Sequence, residues 1–269
     1  MIDLHCHLLA GLDDGAETLE QALQIAVQLE TAGFKAVFAT PHVMEGQHFL
    51  EASRILEETA HFQKELENRG IHLKVYPGGE HYLFPELAEW LQKGKLLTLG
   101  ATGKFILVEL PMLEIPRYAE QVFFDLQVQG ITPIVAHPER YYQLSREPKL
   151  LYDWLEKGVL FQINLKSLTG HYGTKAHETA LYMLQCGLAH FIGSDTHRSS
   201  SKAQPYLNEL NELVNHVGES NVHALFHENP QAVLEGKAIV VQEENLRKWP
   251  EKKSWRERFF SSIRQKLSK

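Results

Sequence analysis

The sequence predicts an α/β domain in which a parallel sheet closes, or nearly closes, into a barrel with its helices outside. Three observations carry this. Strand-like and helix-like stretches alternate along the chain, the helical ones stop at glycines before the next apolar run, and the strand-like ones end in His, Asp or Glu. At 269 residues the chain fits one such domain, since barrels of this kind often run to about 250 residues undivided.

The first element is a strand over residues 1–7. His5 and His7 stand two positions apart and share a face, while Cys6 turns away. Residues 17–33 carry Leu19, Leu23, Ala26, Val27 and Leu29 at helical spacing and stop at Gly33. The strand 34–42 that follows ends Ala39-Thr40-Pro41-His42. A second helix, 49–69, closes at Gly70, and the strand 74–80 ends Pro77-Gly78-Gly79-Glu80. Residues 105–109 form an apolar strand closed by Glu109. Helix 118–129 stops before Gly130, and strand 132–137 runs into His137-Pro138-Glu139-Arg140. Helices 150–157 and 175–186 stop before Gly158 and Gly187, and strand 189–195 ends in Asp195-Thr196-His197. About seven β-then-α units result, fewer than the usual eight, so an irregular barrel is expected. The strand ends of a parallel barrel lie at one mouth, where catalytic groups collect. Imidazoles and carboxylates gathered there suit zinc, iron, manganese or nickel.

Composition narrows the chemistry. Hydrophobic residues at 43% and charged residues at 23% are ordinary for a globular protein, and no apolar stretch reaches the length of a membrane span. The chain opens on a strand instead of a signal segment, so a cytoplasmic location is expected. Two cysteines give no disulfide framework, and neither starts a thiolate phosphate loop, because Leu12 and Ile192 stand where its arginine belongs. No Gly-x-Ser-x-Gly elbow or Walker-type loop occurs. Nucleic acid is not an expected partner, since the net charge is −7 and the body of the chain has no basic stripe. His48 and His81, close to candidate ligands, are expected on the rim.

As a set, His5-Cys6-His7, Asp13-Asp14-Gly15, Thr40-Pro41-His42, Gly79-Glu80, Val108-Glu109, His137-Pro138-Glu139-Arg140 and Ser194-Asp195-Thr196-His197-Arg198 resemble the polymerase and histidinol phosphatase (PHP) superfamily. Asp13-Asp14-Gly15 and His137-Pro138-Glu139-Arg140 are similar, more narrowly, to the bacterial manganese-dependent tyrosine-protein phosphatases of capsule and exopolysaccharide biosynthesis. The resemblance extends to about Gly236 and implies a distorted seven-stranded (β/α) barrel with a trinuclear metal centre. It implies that His5, His7, Glu80 and Asp195 hold the first metal. Glu80 then bridges to a second metal, shared with Glu109 and His137, and Asp14, His42 and His197 hold the third. Manganese is the expected ion, with iron, zinc or magnesium as alternatives.

Adjacent divalent ions lower the pKa of a bound water and neutralise phosphate charge, so hydroxide can attack phosphorus in line with the leaving oxygen. Arg140 and Arg198 are the fork-shaped candidates for clamping phosphate oxygens, beside His42 and His197 among the catalytic candidates. The expected substrate is a phosphotyrosine protein, namely a membrane-bound bacterial tyrosine kinase that controls polysaccharide export. Two alternatives stand beside it: a small-molecule phosphomonoesterase acting on histidinol phosphate, and a catalytically idle metal-binding regulator. The chain divides into a metallophosphatase domain, 1–246, and a basic amphipathic tail, 247–269. The tail carries nine Lys or Arg against two Asp or Glu, a local charge of +7, which leaves −14 on residues 1–246. Trp255, Phe259, Phe260, Ile263 and Leu267 form one apolar stripe at helical spacing, with Pro250 at its boundary. Two readings follow: a helix docked on the acidic body, or an interfacial helix contacting anionic membrane or the kinase at the inner face.

Overall fold

The computed structural model describes residues 1–46, 49–200 and 206–241. The tail 247–269 and His48 lie outside the described residues. Among the described residues there are nine parallel strands: β1 Ile2–Cys6, β2 Ala36–Ala39, β3 His42–Val43, β4 Lys74–Pro77, β5 Glu80–Tyr82, β6 Phe105–Glu109, β7 Thr132–Ala136, β8 Leu160–Asn164 and β9 Phe191–Gly193. They form a three-stranded sheet, β1-β2-β4, and a curled six-stranded sheet, β3-β5-β6-β7-β8-β9.

Nine strand segments thus stand where a distorted barrel of seven strands was expected. Two of the expected strands are each interrupted and pass from the small sheet to the large one. Pro41, which has no N–H to donate, separates β2 from β3, and Gly78-Gly79 separate β4 from β5. A Cβ on Gly78 would meet Leu99 Cδ2 at 2.9 Å, so the chain there lies too close to its neighbour for a side chain. The remaining edges also meet. Asp195 N donates to His5 O at 2.8 Å, His7 N donates to Thr196 O at 3.0 Å, and Cys6 and Thr196 form a parallel bridge. Buried Asp3 reinforces this seam, its Oδ1 accepting from Ser194 N at 2.8 Å and His5 N at 3.2 Å.

The five expected helices are observed at Leu19–Thr31, Ala52–Asn68, Ala119–Val128, Lys149–Glu156 and Thr174–Gln185. Thr18 caps the first, its hydroxyl accepting from Gln21 N at 3.3 Å. That helix buries Ala22, Leu23, Ile25, Ala26 and Leu29 against the sheet, whereas Val27, assigned to its apolar stripe from the sequence, faces solvent. The described residues also hold α-helices at Leu87–Gln92, Tyr142–Arg146, Leu207–Val217, Glu219–His223 and Asn229–Leu234, of which Leu207–Val217, at 11 residues, is a full-length helix that was not marked from the sequence. Helices outside and strand-to-strand packing inside leave Leu4, Val37, Phe38, Leu107, Val108, Ile134, Val135, Phe161 and Ile192 fully buried, as expected for parallel strands covered on both faces. Among the described residues no helix is long and apolar enough to cross a membrane.

Candidate metal centre

The fold brings all nine predicted ligand residues to one mouth, at or after the ends of β1, β6, β7 and β9, at the starts of β3 and β5 where the interrupted strands resume, and on the loop after β1. His5 is on β1 and His7 just past it, His42 opens β3, Glu80 opens β5 and Glu109 ends β6. His137 follows β7, and Asp195 and His197 follow β9. The backbone at His137 and Asp195 has φ of 33° and 47°, a left-handed conformation that costs a side-chain-bearing residue about 1 kcal/mol or more. Each turn occurs where the strand stops and its side chain joins the cluster. Asp14 arrives on the loop after β1, and Gly15 makes that loop possible. A Cβ on Gly15 would stand 2.2 Å from His7 O.

Glu80 is at the centre. Its side chain is fully buried, and Oε2 faces His5 Nε2 at 3.2 Å, His7 Nε2 at 3.4 Å and His42 Nδ1 at 3.0 Å. None of these contacts has the angle of a hydrogen bond, which leaves Oε2 without a hydrogen-bond partner. Glu80 Oε1 accepts from His137 Nε2 at 2.9 Å. Asp195 Oδ1 stands 3.7 Å from His5 Nε2, 3.5 Å from His7 Nε2 and 3.4 Å from His197 Nδ1. Donors bound at about 2.1 Å to one ion are separated by about 3.0 Å when cis in an octahedron and about 3.4 Å in a tetrahedron. The observed separations among His5, His7 and Glu80 fit such a shell, including the 2.9 Å between His5 Nε2 and His7 Nε2, and Asp195 Oδ1 approaches the same two imidazoles from the other side. A buried carboxylate oxygen facing three ring nitrogens with no hydrogen bond is costly alone and suited to a shared cation.

Two further groups adjoin this one. His42 Nδ1 lies 3.5 Å from Glu109 Oε2, and His137 Nε2 lies 3.9 Å from Glu109 Oε1. Toward solvent, Asp14 Oδ1 lies 3.3 Å from His197 Nε2 and 3.6 Å from His42 Nε2. The donor atoms of His7, Asp14, His42 and His197 all fall within 4.8 Å of one another, as do those of His42, Glu80 and Glu109. The cluster is deep on the His5 side and opens through Asp14, His42 and His197, the half-exposed rim. Its field favours positive charge. Burial disfavours the His5 imidazolium, but Glu80 and Asp195 outweigh it and raise the pKa to about 9. Burial also works against the Glu80 carboxylate, and the imidazoles of His5, His137 and His42 hold its pKa well below the usual range all the same. Glu109 is pushed up to about 7 by burial and by the neighbouring Glu80 charge.

Behind the candidate ligands stands a layer of polar residues, of which Asp13 and Arg140 belong to motifs marked in the sequence, whereas Gln162, Asn164 and Tyr172 were not singled out there. Gln162 Oε1 accepts from His5 Nδ1 at 2.9 Å, and Asp13 Oδ2 accepts from His7 Nδ1 at 2.6 Å, so both rings turn Nε2 toward the centre. Asp13 Oδ2 also accepts from His42 N at 3.0 Å. Gln162 Nε2 donates to Asn164 Oδ1 at 2.9 Å, and Asn164 Nδ2 donates to Asp195 Oδ2. That oxygen accepts as well from Arg140 Nη1 at 3.0 Å and the Tyr172 hydroxyl at 3.2 Å. Asp195 is thereby divided, with one oxygen facing the imidazoles and the other held from behind. The strand β8 supplies no predicted ligand, yet Gln162 and Asn164, two polar residues at i and i+2 in an apolar run, share its inward face. That spacing is the signal by which they were findable.

The two arginines differ. Arg140 is half-buried, bound to Asp195 and stacked on the Tyr172 ring with Cζ 4.5 Å from its centroid, whereas Arg198 is exposed beside His197. His81, expected on the rim, is instead fully buried; its Nδ1 lies 3.2 Å from Leu107 O, and burial lowers its pKa to about 4. Residue 81 lies on β5 next to Glu80, so its side chain points to the opposite face and packs outside the mouth.

Comparison with known proteins places these features in a wider set. Residues 1–235 match the family described as capsular polysaccharide synthesis, CpsB/CapC. The chain is 36% identical over 242 residues to the tyrosine-protein phosphatase YwqE of Bacillus subtilis, covering 90% of this chain and 94% of the relative. It is 29% identical over 245 residues to the tyrosine-protein phosphatase CpsB of Streptococcus agalactiae, covering 89% and 100%. Among solved structures, a chain from the work on YwqE of Bacillus subtilis and CpsB of Streptococcus pneumoniae, described as unique metal-dependent tyrosine phosphatases, superposes with a TM-score of 0.84. The identity there is 35%, over 90% of this chain and 97% of that one. A histidinol phosphate phosphatase from Lactococcus lactis, 13% identical with a TM-score of 0.52 over 81% of this chain and 93% of that one, shares the fold.

Proposed function

Since the chain belongs to the CpsB/CapC family of capsular polysaccharide synthesis, we propose that it is a metal-dependent protein-tyrosine phosphatase whose metal centre is the cluster around Glu80. The observation that carries the metal assignment is Glu80 Oε2, buried and without a hydrogen bond among three ring nitrogens. In this reading His5, His7, Glu80 and Asp195 hold one ion, Glu80, Glu109 and His137 a second, and Asp14, His42 and His197 a third, with manganese the ion of choice. Bound there, such ions neutralise phosphate charge and lower the pKa of water. The chain's own residues do the rest. Arg140 and Arg198 hold non-bridging phosphate oxygens, and the open side at His42 and His197 admits the ester. Asn164, Tyr172 and Arg140 keep Asp195 from rotating. The tyrosyl leaving group, with a pKa of about 10, departs without strong acid assistance. Cys6 is no nucleophile, since it is fully buried and burial holds its thiol well above the usual pKa.

The substrate we assign is a membrane-bound tyrosine kinase of polysaccharide export, met in the cytoplasm, with the tail 247–269 as a separate unit contacting anionic membrane. We read the barrel as seven-stranded, counting β2 with β3 and β4 with β5 as one interrupted strand each. The test is direct. Chelated protein should lose turnover of phosphotyrosine peptide, manganese should restore it, and histidinol phosphate should be the poorer substrate. Glu80→Ala and Asp195→Ala should bind less metal and lose nearly all turnover while remaining folded. Full activity of metal-free protein, or a preference for histidinol phosphate, would overturn the reading.

A further inference from the structure

At the mouth, strand register sets side chains in layers. β3, β5 and β6 run side by side, with His42 paired to Glu80, Val43 to His81 and Tyr82 to Glu109. Side chains two apart on a strand share a face, so Tyr82 stands over Glu80 and Met44 over His42, each about 7 Å nearer to solvent than the candidate ligand beneath it. Continuing the β3–β5 register by one residue sets Met44 beside Tyr82, which is itself beside Glu109. Met44 is 36% exposed and Tyr82 half-buried, whereas Val43 and His81, which point the other way, are buried. Tyr118 joins this pair from the segment after β6. Its hydroxyl donates to Leu83 O at 3.4 Å, which holds the ring at the end of β5 with 37% of the residue exposed. The wall has a fixed base, since Leu83 N donates to Glu109 O at 2.9 Å.

This arc of the mouth differs in chemistry from the rest. Arg140 follows β7 and Arg198 follows β9, so both guanidiniums belong to the other half of the strand order. Beside Tyr118 the field is negative: burial first, then the carboxylates of Glu45 and Glu86, raise the pKa of its hydroxyl. A phosphoryl group is drawn to the ions and the arginines, and the group esterified to it lies away from them. What it meets on the β3–β5 side is one thioether and two phenol rings, partly open to solvent, one layer above the candidate ligands. Neutral, polarizable surface of this kind favours a flat aromatic group over an alkyl chain, through ring–ring and sulfur–ring contacts. The rise of two strand residues is also comparable to the length of an aryl phosphate from phosphorus to the far edge of its ring.

We infer that Met44, Tyr82 and Tyr118 form an aryl subsite, a wall against which the ring of phosphotyrosine lies while its phosphate occupies the metal centre. The inference rests on the tyrosine-phosphatase reading. Benzylphosphonate and propylphosphonate share one anionic head and cannot be hydrolysed, so they isolate the ring from leaving-group chemistry. On manganese-loaded enzyme, calorimetry should show benzylphosphonate bound roughly tenfold more tightly, the scale of one aromatic contact. Tyr82→Leu should bring the two affinities together and lower kcat/KM for phosphotyrosine peptide and phenyl phosphate, while Tyr82→Phe, which keeps the ring, should restore both. Both variants should keep their full metal content. Equal affinities for the two probes in the unaltered protein, or a preference that survives Tyr82→Leu and Tyr118→Ala alike, would overturn the subsite and leave the phosphatase reading standing. Hydrolysis of histidinol phosphate with no turnover of phosphotyrosine peptide would overturn both.

Discussion

At the scale of single residues, the cluster separates groups that face the centre from groups that hold them there, and mutation should separate them too. Arg198→Ala should leave metal content unchanged and lower kcat/KM by about 2 to 4 kcal/mol, or roughly 30- to 1000-fold, with lysine restoring it only in part because it lacks the fork. Arg140→Ala should lower metal affinity as well, since Asp195 loses a partner at 3.0 Å. Metal titration beside kinetics distinguishes them, and unchanged kinetics in both variants would make the arginines ordinary surface charges. Gln162→Leu should weaken metal binding roughly 10- to 100-fold, as expected when the group orienting a ligand histidine is removed, while Gln162→Glu, which keeps the acceptor, should recover much of it. Equal metal affinity in Gln162→Leu and the unaltered protein would remove that role. The candidate ligands were legible because His and carboxylates at strand ends are rare and share one mouth. Gln162 and Asn164 carried only the weaker signal of two polar residues at i and i+2 in an apolar strand, and Tyr172 carried none, because an amide or phenol acquires its role only from the atom it faces.

At the scale of elements, periodicity located five helices to within a few residues, and glycine stops marked their ends, but it missed Leu207–Val217. What it could not give were the interruptions at Pro41 and Gly78-Gly79, where the strand pattern runs on but hydrogen bonding changes sheets. The short helices after Phe84 and Tyr141 are also set by packing rather than propensity. The start of β9 supports a pH prediction. His190 is buried, its Nδ1 accepts from Phe161 N at 3.2 Å, and burial lowers its pKa to about 4. In the unfolded chain the same ring has a pKa of about 6.5. Above that value the ring is neutral in both states and its full contribution to stability is present. As pH falls from about 6.5 toward 4 the unfolded chain takes up the proton first, so stability is lost by up to roughly 3 kcal/mol. Urea melts across this range should show the loss in the unaltered protein and a shallower one in His190→Gln; identical slopes would mean that His190 takes its proton as readily folded as unfolded.

At the scale of the whole molecule, the acidic body and basic tail make a testable pair. Removing residues 247–269 should leave turnover of a small aryl phosphate intact, because no candidate ligand lies beyond His197. It should also abolish salt-sensitive sedimentation with anionic vesicles, where each basic residue near the surface contributes about 1 kcal/mol. Absence of vesicle binding by the full chain, with a lower Tm after truncation, would instead assign the tail to the body. The seam between Asp3 and Ser194 has a further consequence. It joins positions 191 residues apart, and the same seam brings His5 and His7 to Asp195. During synthesis at about 5 to 20 residues per second, the first half of the cluster waits roughly 10 to 40 seconds for the second to leave the ribosome. Through that interval β1 is an open strand edge carrying two imidazoles, able to pair wrongly or to take a metal in the wrong geometry. Closure of the barrel and completion of the candidate cluster thus fall on the same late contact.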